Sequence, residues 1–282
     1  MKSYDQQIDD LLNLAFAEDV GDGDHTTLST IPADEQGCQQ LIVKEEGILA
    51  GVEVAKKVFE KFDPELKMTV YINDGAHVHP GDVAFKVEGS VRSLLQTERT
   101  MLNIMQRMSG IATTTARYQS RLDGLNCKVL DTRKTTPGMR LLEKEAVKIG
   151  GGMNHRIGLF DMILIKDNHV DFAGGIDKAV AAARKYLAEK GKDLKIEVEV
   201  RNTDEILQAL DAKVDRIMLD NFTPERTAEA VKLINHRAEV ESSGGITLDT
   251  LRAYGEAGVD FISIGALTHS VKGLDMSFKA VK

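Results

Sequence analysis

From residue 127 onward the chain repeats one pattern of organisation: a short β-branched strand, a polar strand end, then an amphipathic helix. The strands read Lys128–Leu130, Met162–Ile165, Lys195–Val200, Asp215–Leu219, Ala238–Val240 and Asp260–Ile264, with helices over Lys178–Glu189, Thr203–Leu210, Pro224–Asn235 and Leu248–Ala257. Such alternation predicts parallel strands joined by right-handed crossover helices. Six strands fall short of the eight that close a barrel. The expectation is therefore an α/β chain with an incomplete α/β barrel of about six to seven strands.

Residues 1–107 read differently, as a separate α+β domain. Ile8, Leu11, Leu12, Leu14 and Ala15 recur at helical spacing, and Leu41–Val43, Lys67–Tyr71 and Val83–Val87 read as strands separated by Gly and Pro. A long helix follows over Val91–Leu122, with an interruption expected near Ser109-Gly110. The barrel domain is expected over 108–269.

Composition limits the partners. The 282 residues are 42% hydrophobic and 28% charged, with a net charge of −8. That balance is ordinary for a globular protein and a poor surface for nucleic acid. No apolar run approaches the ~20 residues of a membrane span. The polar start Met1-Lys-Ser-Tyr-Asp-Gln6 lacks the apolar stretch of a signal peptide, so a cytoplasmic protein is expected. Cys38 and Cys127 then read as free thiols. His77 and His79 form an HxH inside the turn-rich Asn73–Gly81, with no Cys or third His at ligand spacing. A solvated turn is the expectation there. Residues 131–169 hold seven Lys/Arg against five Asp/Glu, a charge of +2 that leaves −10 for the rest. A basic segment in an acidic chain suits a small polyanion.

In an α/β barrel the active site lies where the carboxyl ends of the strands converge. Here those ends are Asp131-Thr-Arg-Lys134, Lys166-Asp-Asn-His169, Glu199 with Arg201-Asn202, Asp220-Asn221, Glu241-Ser-Ser-Gly-Gly245 and Gly265-Ala266. Arg133 offers a planar fork to a carboxylate or phosphate and Lys134 a mobile point charge. Thr135-Thr-Pro-Gly138 reads as a helix start, which would set both cations beside an anion-favouring terminus. Gly150-Gly-Gly-Met-Asn-His-Arg156 permits close backbone approach and ends in the donors His155 and Arg156. Lys166 ends an apolar run and supports two chemistries, an anion contact or a Schiff base. Glu197 and Glu199 alternate on one strand face, Glu199 at the site and Glu197 as a structural ion-pair partner. With Asp220, Glu199 could meet sugar hydroxyls, a divalent cation or a cationic transition state. The glycine loops at the last two strands suit a phosphate.

These motifs, together with Glu18–Thr27 and Glu98–Asn103, resemble quinolinate phosphoribosyltransferases along nearly the whole chain. The resemblance implies transfer of phosphoribose from phosphoribosyl pyrophosphate to quinolinate with decarboxylation, dependent on Mg2+. The products would be nicotinate mononucleotide, pyrophosphate and CO2, in de novo NAD synthesis. It implies that Arg133, Lys134, His155, Arg156 and Lys166 hold the quinolinate carboxylates, with Lys134 and Lys166 among the catalytic residues. Glu199 and Asp220 would face ribose and metal. Ser243, Gly244, Gly245, Gly265 and Ala266 would hold the 5′-phosphate, with His269 nearby. Arg99 would reach into the partner's site of a homodimer, alone or within a hexamer. A sandwich-like N-terminal domain is also implied, with a last helix over 270–282 returning to it. The rivals are the related molybdenum-locus proteins, which share many motifs, and a Schiff-base aldolase using Lys166. Arg99, Arg133, Lys134, Arg156 and Lys166 together favour the dicarboxylate.

Overall fold

The computed structural model describes residues 3–281. The chain forms two compact units: one takes the chain through Ala116, Thr135–Gly151 and the residues from Leu267 on, the other Arg117–Lys134 and Gly152–Ala266.

In the first unit the strands are β1 (Gln36–Val43), β2 (Gly47–Ile48), β3 (Lys67–Val70), β4 (His77–Val78) and β5 (Val83–Ser90). β1 and β5 alternate buried apolar residues with less buried ones, so one sheet face carries Leu41, Val43, Phe85 and Val87. The helix Val52–Phe62 supplies Ala55, Val58 and Phe59 to that core, and Phe59 meets Phe85 edge-on at 6.2 Å.

The second unit is built on β6 (Lys128–Leu130), β7 (Ile163–Ile165), β8 (Ile196–Val200), β9 (Arg216–Asp220), β10 (Glu239–Ser243) and β11 (Phe261–Ser263). All pair in parallel, in the order β6-β11-β10-β9-β8-β7. β6 and β7 do not pair, so the barrel is open, as expected. Met153 extends it by an isolated parallel bridge to Leu130. The segment from Met153 to Arg156, after the three glycines, thus begins along the open edge. The side chain of Arg156 then donates to the carbonyl of Met162, just before β7, at 3.4 Å.

Three local expectations are corrected. The closing segment is not a helix: it is β12 (Met276–Ala280), antiparallel to β1 in the sheet β12-β1-β5-β3. The long helix Val91–Ser120 runs uninterrupted through Ser109-Gly110. Those residues are small because of close packing. Ser109 Oγ accepts from the Ala50 amide at 2.8 Å, and a Cβ on Gly110 would overlap the Lys272 carbonyl. Finally, the helix after Pro137 begins only at Arg140, after a turn with Gly138 at φ +84°, so no helix terminus adjoins Arg133 and Lys134 in the chain.

Candidate active site

The carboxyl ends of β6 to β11 carry the predicted barrel residues, and their geometry sorts into a rim and a buried layer beneath it. At the rim, Arg133 and Lys134 follow β6 and are exposed. Asp131, fully buried, accepts from the His155 amide at 2.9 Å and so ties the edge segment 153–156 to the end of β6. Burial, and then the charge of Arg133, make the Arg156 guanidinium easier to deprotonate than usual. A like charge near a partly buried guanidinium favours binding of an anion there.

Lys166, half exposed at the end of β7, pairs with Glu199 of β8, which is largely buried. Asp220 ends β9 opposite Ser243 of β10, and its carboxylate accepts from Asn221 Nδ2 at 2.8 Å. Gly244 (φ +101°) and Gly245 (φ +61°) turn the chain after β10. A Cβ at Gly244 would overlap the Asn221 side chain, so only glycine fits this approach. Gly265 and Ala266 follow β11.

Beneath the rim runs a polar layer that sequence reading foresaw as an ion pair only at Glu197. Strand register sets Glu197 opposite Arg216, and Arg216 opposite Glu239. The Arg216 guanidinium reaches Glu241 at 3.1 Å and Glu239 at 3.0 Å, and lies 4.2 Å from the Phe261 ring centre. Ser263 donates to Glu241. His155 closes the layer. Its Nδ1 accepts from the Arg156 amide at 2.7 Å, while Nε2 stands 3.1 Å from Glu197, at ion-pair distance without hydrogen-bond alignment. With its side chain only 6% exposed, His155 orients Arg156 from below. Burial pushes Glu197 up to about 7, and burial with the Glu197 charge pushes Glu241 up to about 7. His155, Glu197 and Glu241 are metal-ligand types in a cluster, but Arg216 already supplies the cation.

Sequence reading gave His169 no role beyond its motif; its Nδ1 accepts from the Lys166 amide at 2.9 Å at the start of the helix Asp167–Ala173 that follows β7. Asp131 was seen only as part of a motif. Arg99 and His269 belong to the other unit. Arg99 is exposed there and lines a groove of about 380 Å3 with Leu11, Glu18, Asp19 and Arg107, while His269 Nδ1 bonds Ser270 Oγ at 2.6 Å.

An open α/β barrel with cations at its first strands, carboxylates at the middle ones and a glycine turn near the last has the form of a barrel enzyme for anionic substrates. The family models for the N-terminal and C-terminal domains of quinolinate phosphoribosyl transferase match residues 24–109 and 111–279. A probable nicotinate-nucleotide pyrophosphorylase (carboxylating) of Bacillus subtilis is 44% identical over 96% of this chain and 92% of its own. A mitochondrial quinolinate phosphoribosyltransferase (decarboxylating) of Nicotiana tabacum is 44% identical over 98% of this chain and 82% of its own. Among solved structures, NadC from Streptococcus pyogenes superposes with a TM-score of 0.93 at 41% identity, covering all of both chains. The chain belongs to the quinolinate phosphoribosyltransferase family.

Proposed function

We propose that this chain transfers the phosphoribosyl group of phosphoribosyl pyrophosphate to quinolinate and releases CO2. The observation that carries the reading is the convergence of strand ends in one open barrel, with Arg133 and Lys134 after β6, the Lys166–Glu199 pair at β7 and β8, and the Gly244-Gly245 turn after β10. A pyridine dicarboxylate answers the cations, and a sugar phosphate answers the carboxylates and the turn.

In this reading Arg133, Lys134, Arg156 and Lys166 bind the two quinolinate carboxylates and aim the ring nitrogen at the anomeric carbon. The nitrogen forms the new bond as the bond to pyrophosphate breaks. Glu199 and Asp220 face the positive charge that develops on the sugar. Loss of the ring carboxylate next to the nitrogen leaves an electron pair that the ring cation stabilises until a proton replaces it. Ser243, Gly244, Gly245, Gly265 and Ala266 hold the 5′-phosphate with backbone and hydroxyl donors. His155 positions Arg156. Glu199 and Asp220 offer hard oxygen ligands at neighbouring strand ends, a donor set that fits Mg2+. The ion would neutralise pyrophosphate charge there.

The proposal includes a homodimer in which Arg99 serves the partner's site, supported by its exposure in the first unit. It keeps the enzyme in the cytoplasm, where the free thiols of Cys38 and Cys127 fit a reducing compartment. No helix among the described residues is long and apolar enough to cross a membrane.

The test is quinolinate binding by calorimetry to Arg133→Ala, Arg156→Ala and Lys166→Ala, with folding checked by circular dichroism. Each folded variant is expected to lose at least tenfold in affinity. Unchanged affinity in all three would refute the dicarboxylate site.

A further inference from the structure

We propose that Glu46, His77 and His79 form a surface site for a divalent transition metal, with Zn2+ the best fit. Sequence spacing alone makes the HxH a solvated turn, because it offers two ligands and no third. The fold supplies the third. β2 and β4 pair antiparallel, with Gly47 opposite Val78 and Ile48 opposite His77. One step further along the ribbon brings Glu46 opposite His79. Alternate residues of a strand share a face, so both imidazoles and the carboxylate come to one side.

One ligand atom from each residue lies within 4.8 Å of the other two. Glu46 Oε1 is 3.4 Å from His77 Nε2, and the two imidazole rings stand 4.9 Å apart at 62°. Ligands at about 2.0–2.2 Å from a tetrahedral zinc ion lie roughly 3.3–3.6 Å from each other, so small rotations of these exposed side chains complete the site. Asp82 accepts from the His79 amide at 2.8 Å, and the same Oδ2 lies 3.9 Å from His79 Nδ1. Asp82 thereby fixes the His79 backbone and sets a carboxylate near its ring. The backbone beneath is fixed by reciprocal bonds, Leu49 N–H to Ala76 and Gly75 N–H to Leu49, both at 2.9 Å. Imidazole nitrogen prefers zinc, nickel or copper to magnesium, so this site is chemically separate from the carboxylates proposed to meet Mg2+. Bound metal would pin β2 to β4.

The experiment is calorimetric titration of Zn2+ into the full chain in millimolar Mg2+, which occupies oxygen-rich sites. The wild type is expected to bind one Zn2+ per chain. The double variant His77→Ala/His79→Ala should lose that event while keeping its phosphoribosyl transfer rate with Mg2+, and Glu46→Gln should weaken it about tenfold. Affinity should also fall in acid, since protonated imidazole cannot ligate. Absence of zinc binding in the wild type would overturn the proposal, as would unchanged binding in the double variant. Unchanged binding in Glu46→Gln would overturn the three-ligand site.

Discussion

Arg156 is held where an arginine is least comfortable: partly buried, with Arg133 close enough to disfavour its charge. In the proposed site a dicarboxylate would relieve that repulsion when it binds. Arg156→Ala is expected to lower kcat/KM for quinolinate roughly 100-fold, about 3 kcal/mol, chiefly through KM. Arg156→Lys should restore only part, because a point charge cannot reproduce the fork. Steady-state kinetics at saturating phosphoribosyl pyrophosphate would check this, and an effect confined to kcat would contradict it. Gly244 makes the complementary case for the phosphate half. Its φ of +101° and the Asn221 side chain against its Cα leave no room for a Cβ. Gly244→Ala should raise KM for phosphoribosyl pyrophosphate at least about tenfold while KM for quinolinate changes little. Kinetics with each substrate varied in turn decides it.

The strands of the barrel do more than carry the rim, because β8, β9 and β10 also bring Glu197, Arg216 and Glu241 into one sealed layer. Both carboxyls titrate near 7 in the folded chain against an ordinary 4.5. Between those values the folded state binds more protons than the unfolded one, so this pair makes stability fall as pH rises from about 4.5 to 7. Glu241→Gln fixes one member neutral and should flatten that fall by about 2 kcal/mol, measured as urea unfolding at pH 5 and pH 8. An unchanged slope would contradict the assignment. Much of this architecture was legible in the sequence, since β-branched runs ending in polar residues mark parallel strands wherever they occur. What escaped depends on partners distant in the chain. Ser109-Gly110 looks like a helix break because the neighbours that demand small residues are Ala50 and Lys272. Met276–Ala280 is a strand because β1 pairs with it, not because of its own sequence. Arg216 reads as an ordinary charge, and Glu241 as part of a strand end, until strand register faces them inward. The rim residues were legible because each ends a recognisable strand; the role of His169 was not, because it is a bond to a backbone amide.

At the scale of the whole molecule, a chain of net charge −8 carries Arg133, Lys134 and Lys166 at the strand ends of one barrel, which favours a small anion over a polyanionic chain. The proposed dimer makes a further prediction. If Arg99 serves the partner's site, inactive Arg99→Ala and inactive Lys166→Ala chains, exchanged into mixed dimers, should recover about a quarter of wild-type activity, because half the dimers then hold one intact site. No recovery, with exchange verified by mass, would place Arg99 in its own chain's site. The central claim is decarboxylating phosphoribosyl transfer to a dicarboxylate, and its most direct test is product stoichiometry. Purified protein with Mg2+, phosphoribosyl pyrophosphate and carboxyl-labelled quinolinate should release pyrophosphate and labelled CO2 in equal amounts, and neither when one substrate is omitted. Equal turnover of nicotinate, with pyrophosphate formed and no CO2, would contradict it.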